Sequence, residues 1–450
     1  MHIKIPPYIV SNTYCTQKTT SVSFIDDLKH DLYYILCGET SALWEFIINF
    51  PDYNKILRFA QEHNMQQLLG SFLSELKFQN LIEADFVEKS CNNRYLKYIF
   101  DKKSSNFNIF LKYKEFALRE KLTDLRSVRL SLNYTCNLNC KQCCNPKDIY
   151  EEMTFEQAKA IIDEAIDLGV YLVSLSGGEC TINKDFLNIA KYVRSKFLDL
   201  TILTNAQKLY DDNKLLNDII SIYPGIQVSL YSMIPEVHDN LTGKKGSHYK
   251  TLHVIKKLRE NNIKVAIACV QFSYNRGSWI DVKKYADKMG CDFVTDCKFI
   301  YNTDNDNLDA KLSKEDIFEY YLNTINVNKP RSKEDLICSA GNDRLEIMPN
   351  LDINPCSYFY YKLGNYKNVT LKEVRETTVK EFHKLFKKEN LKDCYKYDYC
   401  KYCLYCPKYC KSSEKNVFLK KNEILCEDAK MYSKALLHLQ SLKSNSIQAV

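Results

Sequence analysis

The chain has 450 residues, 45% of them apolar and 26% charged, with only 12 Gly and 10 Pro. This balance excludes long disordered or low-complexity stretches and provides for about three domains. The formal net charge of +7 is a modest basic bias that selects no class of partner.

Residues 1–95 read as a strand pair around "YCTQKTTSVSFID" and "YYIL", followed by helical stretches "SALWEFIINF", "YNKILRFAQEH" and "MQQLLGSFLSELKFQNLIE", the outline of a small winged-helix domain. A linker over 96–126 leads to residues 127–305, where β-branched runs alternate with segments of helical period, as parallel βα units require. The strands are "VRLSLNYT", "YLVSLSGG", "LTILTN", "IQVSLYS", "KVAIACVQF" and "CDFVTDCKFI". Thr154 with Gln157 three residues on is a capping box, which sets the start of the first helix. Six such units fall short of an eight-unit barrel, so an α/β fold with a partial, open (βα)6 TIM-like barrel is expected. A bridging region follows over 306–337. Across 338–430 the periodicity fades while cysteines accumulate, which predicts a fold organised by metal more than by apolar core. Residues 431–450 read as a C-terminal helix or tail. The opening "MHIKIPPYIVSNTYC" has no apolar run of signal-peptide length, and no stretch approaches about 18 uninterrupted apolar residues, so a cytoplasmic protein without a membrane segment is expected.

Nineteen cysteines, an odd number, argue against a disulfide framework in a reducing compartment and favour metal ligation wherever they cluster. The first cluster, "CNLNCKQC", places Cys136, Cys140 and Cys143 at the C-terminal end of the first barrel strand, the active face of such folds. Three thiolates on one loop suit three irons of a 4Fe-4S cluster, with the fourth iron open to a chelating ligand; a zinc site is the plainer alternative. Cys15, Cys37, Cys91, Cys269, Cys291 and Cys297 sit in apolar or strand contexts and read as core thiols. Cys144 and Cys180 lie closer to the loop without a required role.

The loop resembles that of the radical S-adenosylmethionine (SAM) superfamily. The resemblance implies that Cys136, Cys140 and Cys143 hold the cluster and that SAM chelates its open iron. SAM is then cleaved to a 5'-deoxyadenosyl radical that abstracts a substrate hydrogen. Gln142 stands where the family has an aromatic residue near the adenine. Gly177, Gly178 and Glu179 match the family's GGE motif, with glycines that let backbone approach a ligand and end groups that accept the SAM amino group; Cys180 replaces the usual proline. Thr204, Asn205 and Ser229 end the third and fourth strands where related enzymes contact SAM ribose or carboxylate.

"CSAGNDRLEIMPNLDINPCSYF" resembles the opening of a SPASM domain, the auxiliary-cluster extension of many radical SAM enzymes, and "KLGNYKNVTLKEV" resembles what normally follows it. Leu351 occupies the place of a family glycine, and the spacing of Cys400, Cys403, Cys406 and Cys410 is shorter than the family's. Carried over, the resemblance assigns Cys400, Cys403, Cys406 and Cys426 to an outer 4Fe-4S cluster and Cys338, Cys356 and Cys410 to an inner one. Cys394 is either the inner cluster's fourth ligand or leaves that iron open to a substrate thiol. Three 4Fe-4S clusters and SAM are thus the implied cofactors.

Residues 1–95 resemble the PqqD-like recognition element that binds leader peptides of ribosomally made, modified peptides by strand addition. "QQLLGSFLSELKF" holds one lysine and no arginine, which argues against a nucleic-acid-reading helix. The resemblances together imply a maturase that forms a crosslink from cysteine sulfur to carbon in a precursor peptide, served by flavodoxin or ferredoxin. A carbon-carbon crosslink, a sulfatase-maturase-like side-chain oxidation and an RNA-modifying radical SAM enzyme are the alternatives.

Overall fold

A computed structural model describes residues 2–15, 21–30, 32–85, 87, 98–101, 125–146, 148–297, 311–327, 340–357, 361–385, 397–403 and 423–448. Strands β1 (Ile9–Cys15), β2 (Ser21–Asp27) and β3 (Leu32–Cys37) form an antiparallel sheet. Helices Glu39–Asn49, Tyr53–Glu62 and Gln66–Phe78 follow it. Their apolar faces meet the sheet around buried Trp44, whose indole N–H donates to Ser11 Oγ at 2.7 Å, so the one polar atom of a large core ring is paired. The expected strands and helices are therefore present, with one addition. Strand β4 (Tyr98–Asp101), in the stretch read as linker, pairs with β3 and closes that edge.

Strands β5 (Ser127–Ser131), β6 (Leu172–Ser176), β7 (Asp199–Thr204), β8 (Gly225–Ser229), β9 (Val265–Val270) and β10 (Asp292–Asp296) run parallel in sequence order. Alternation decides their two faces. Val128, Leu130, Val173, Leu175, Leu200, Ile202, Ile226 and Val228 enter one apolar core beneath the helices, while the residues between them, Arg129, Ser131, Ser174, Ser176, Thr201, Gln227 and Ser229, stand on the opposite face. Leu172 and Leu203 share that otherwise polar face. The helix Phe155–Asp167 starts at the expected capping box, with Thr154 Oγ1 and Gln157 Oε1 each accepting the other's backbone N–H.

The described part of the C-terminal region extends the same sheet. Strand β11 (Arg344–Ile347) lies parallel beside β5, and β12 (Asp352–Asn354) and β13 (Gly364–Asn365) extend the sheet antiparallel. The order is β10-β9-β8-β7-β6-β5-β11-β12-β13, an open nine-stranded sheet. Leu345, Ile347, Ile353, Leu371, Val374 and Phe382 join the barrel core, so apolar burial contributes to the described part of this region. The last helix, Glu423–Gln448, begins ahead of the expected residue 431. It packs on the helix Lys314–Thr324, with the Tyr321 and Tyr432 rings 5.2 Å apart.

The two folded parts meet at Arg194, in the last turn of the helix Phe186–Ser195. Its buried guanidinium donates to the carbonyls of Leu198 at 2.8 Å, Ile222 at 2.9 Å and Ile9 at 3.5 Å, and to that of Pro7. The Ser11 N–H adds a 3.1 Å bond to the Phe197 carbonyl. These contacts lie at the N-terminal ends of the barrel strands, the end opposite the cysteine loop.

Candidate active site

β5 ends at Ser131 and the chain then runs as irregular backbone through Cys136, Cys140 and Cys143. Two supports hold this loop. The first is the turn after β6, where the Gly178 N–H donates to Asn133 O at 2.7 Å and the Glu179 N–H to Thr135 O at 3.0 Å. A Cβ on Gly177, at φ +135°, would lie 2.1 Å from the Asn133 carbonyl oxygen, and one on Gly178 would lie 2.4 Å from that of Thr135. The glycines are thus required by contact with neighbouring backbone, where the sequence had suggested approach to a ligand.

The second support is the C-terminal end of the helix Pro235–Thr242. Its last carbonyls accept from the loop, Asn139 N to Thr242 O at 3.1 Å and Lys141 N to Leu241 O at 2.9 Å, so orphan helix-end acceptors are satisfied by the loop itself. Gly243 ends the helix at φ +68°, and a Cβ there would lie 2.6 Å from Asn139 O. His238 of this helix is buried. Its Nδ1 accepts the Tyr231 N–H at 3.2 Å, and burial, then nearby His248, pulls its pKa down to about 4 against the opposing pull of Asp239. Asp239 accepts from the Ser247 hydroxyl and the His248 N–H, both at 2.9 Å, and fixes the turn beyond. Sequence reasoning did not single out His238, Asp239 or Gly243. The available signal was Pro at a helix start with Gly just past its end.

Glu179 is buried. Its carboxylate accepts from the hydroxyls of Thr181 at 2.6 Å and Thr204 at 2.7 Å and from the Asn205 N–H at 2.7 Å. Burial raises its pKa, and these donors work against the rise. The side chain therefore ties the end of β6 to the end of β7, and Thr204 is engaged in the same brace. Asn205 reaches the loop directly, its amide N–H donating to Asn137 Oδ1 at 2.8 Å and lying 3.5 Å from Cys136 Sγ. Gln142 has a buried side-chain amide beside the Tyr231 hydroxyl. Tyr231, with Ser229 and Gln142 near its hydroxyl, has its pKa raised by burial and then by Cys140.

Burial pushes the Cys136 thiol up and the Cys140 thiol to about 12, and the neighbouring sulfurs oppose ionisation of Cys140 further. Among the described residues no three Cys, His, Asp or Glu side chains stand in ready-made ion geometry. An iron cluster fits this donor set: it would supply the positive charge that ionises the thiols and draws the loop onto it. Of the C-terminal cysteines, Cys400 and Cys403 lie on the turn Asp398–Tyr402 and its end. That turn packs on the helix bearing Cys426, with the Tyr402 and Tyr432 rings 5.3 Å apart. Cys356 follows β12 and is half-buried. Cys338, Cys394, Cys406 and Cys410 lie outside the described residues.

The open parallel sheet thus places a braced three-thiol loop at the C-terminal end of its first strand. The Radical SAM superfamily matches residues 130–286, so the chain carries a radical SAM domain. The chain is 26% identical over 318 residues to the antilisterial bacteriocin subtilosin biosynthesis protein AlbA of Bacillus subtilis (strain 168), covering 66% of this chain and 70% of that protein. It is 29% identical over 167 residues to the sporulation killing factor maturation protein SkfB of the same organism, covering 36% of this chain and 40% of SkfB. Among solved structures, Streptococcus suis SuiB bound to precursor peptide SuiA shares the fold with a TM-score of 0.56 at 17% identity, over 94% of this chain and 99% of that one. No helix among the described residues is long and apolar enough to cross a membrane.

Proposed function

We propose that the chain is a cytoplasmic maturase that forms a thioether between a cysteine sulfur and a carbon of a ribosomally made precursor peptide. The reading is carried by the cysteine loop, braced from both sides at the C-terminal end of β5. It is supported by the likeness to AlbA and SkfB, whose names place them in the making of peptide products. When bound, the cluster and SAM supply a 5'-deoxyadenosyl radical that takes a hydrogen atom from the substrate.

The chain's own residues hold and orient. Cys136, Cys140 and Cys143 ligate the cluster. Backbone of Gly177, Gly178 and Glu179 meets the SAM amino group, the Glu179 carboxylate being already spent on Thr181, Thr204 and Asn205. Asn205, Ser229 and Gln142 contact the rest of SAM, with Thr204 setting the backbone beneath them. Cys338, Cys356, Cys394, Cys400, Cys403, Cys406, Cys410 and Cys426 would hold two auxiliary 4Fe-4S clusters, which would supply electron-accepting capacity. The first 95 residues bind the leader, and a flavodoxin or ferredoxin delivers electrons.

The test uses the cysteine-bearing peptide encoded beside this chain's gene, incubated anaerobically with reconstituted enzyme, SAM and reductant. A product lighter by two hydrogens, with its cysteine resistant to alkylation, is expected. An unmodified peptide refutes the reading, and a product of the same mass whose thiol still alkylates assigns a carbon-carbon crosslink.

A further inference from the structure

Strand β11 comes from the C-terminal region, yet it stands beside β5 as a further strand of the barrel wall, with Glu346 opposite Arg129 in register. Leu345 and Ile347 enter the apolar core. Glu346, between them, therefore lies on the polar inner face with Arg129 and Ser131.

Glu346 is only 4% exposed. Its Oε1 accepts the Ser131 hydroxyl at 2.6 Å, while its Oε2 is buried with no hydrogen-bond partner. Arg129, the nearby cation, donates instead to Ser357 Oγ at 2.7 Å. A buried oxygen left unpaired carries a desolvation penalty that a structural carboxyl avoids by finding a second donor or by giving way to an apolar residue. The position gives the orphan atom a use. Ser131 leads directly into the cysteine loop and Ser357 follows Cys356, so Glu346 sits on the wall between the SAM-cluster loop and a proposed auxiliary ligand.

We propose that Glu346 is a substrate-contact residue, whose Oε2 gives a hydrogen bond to a backbone carbonyl of the peptide segment held in the barrel. Ser131 occupies Oε1 as acceptor, which leaves Oε2 as the hydroxyl of a neutral carboxyl. Burial raises the Glu346 pKa and favours that neutral form, with Arg129 and then Ser131 opposing the rise. The inference deepens the reading above and rests on it for the identity of the substrate.

Two arms test it. With the adjacent-gene peptide, Glu346→Ala should raise the peptide KM about tenfold, the loss of one buried hydrogen bond. Glu346→Gln, whose carbonyl serves Ser131 and whose amide donates in place of Oε2, should stay within about threefold. An unchanged KM in Glu346→Ala, or a loss in Glu346→Gln equal to that in Glu346→Ala, overturns the proposal. The second arm needs no peptide. In the full chain, Glu346→Met combined with Ser131→Ala should melt at or above the wild-type temperature, because a group kept for binding is a burden on the fold. A Tm lower by several degrees would make Glu346 a structural brace. If wild-type enzyme leaves the peptide untouched, the maturase reading fails while the melting arm still decides the role of Glu346.

Discussion

Gly178 shows how one missing methyl group sets the site. Its Cβ position lies within 2.7 Å of three backbone atoms of Tyr134 and Thr135, all on the segment leading into the cysteine loop, where side-chain repacking gives no relief. Gly178→Ala should therefore displace the loop, and a loss of most SAM-cluster iron on reconstitution, with the rest of the fold intact by circular dichroism, is expected. Leu351 shows the opposite balance. It sits at φ +69° where a glycine is conformationally easier, yet it is only 4% exposed. The left-handed conformation costs roughly 1–2 kcal/mol and full burial of a leucine returns about 1.5–3 kcal/mol, so a leucine is tolerated at a turn where the resemblance expects glycine. His238 provides a pH signature. Burial draws its pKa down to about 4 in the folded chain from the ordinary 6.5, so the unfolded chain binds the extra proton. Stability from this residue is complete above pH 6.5 and is lost as pH falls toward 4, on the order of 2 kcal/mol by pH 5. Asp239 and His248 face it and set the net field. Urea unfolding at pH 7.5 and 5 should give a smaller difference for His238→Asn than for wild type; equal differences would remove His238 from the linkage. The GGE motif could be read from the sequence because its residues are contiguous. The role of Gly243 could not, because it packs on a loop about a hundred residues earlier, and His238 and Asp239 only fix the turns on either side of the helix that meets that loop.

Among the elements, the six parallel strands were legible because each carries a β-branched run with period-two burial beside helices of period 3.6. β11, β12 and β13 were not. They span four, three and two residues, too short for any periodicity, and β11 finds its partner in β5 more than two hundred residues away. β4 escaped for the same reason, with four residues in a stretch that reads as linker. Arg194 is the counterpart between the two folded parts. A buried cation with carbonyl partners and a pKa drawn down to about 10 by burial is stable only while those carbonyls stay in place. Arg194→Met removes its bonds to Pro7 and Ile9 together with those to Leu198 and Ile222. It should lower the stability of the N-terminal domain's docking by about 2–3 kcal/mol, seen as faster proteolysis between the two parts under native conditions. An unchanged cleavage rate would place the docking energy elsewhere.

The whole molecule places its chemistry and its docking contacts at opposite ends of one sheet. The cysteine loop occupies the C-terminal strand ends, and the Arg194 contacts occupy the N-terminal ends. The fold class followed from periodicity and the expected site class from the family resemblance of the cysteine loop and GGE turn, whereas the inner wall, completed by a strand from the C-terminal region, required the three-dimensional arrangement. The most direct measurement is 5'-deoxyadenosine formation by anaerobically reconstituted wild type and by the variant with Cys136, Cys140 and Cys143 all changed to Ala. Wild type should cleave SAM and bind about twelve irons, and the variant should form no 5'-deoxyadenosine while keeping about eight, four for each remaining cluster. Continued 5'-deoxyadenosine formation by the variant, or a wild-type protein that binds only zinc, would contradict the assignment of this loop as the SAM-cleaving site.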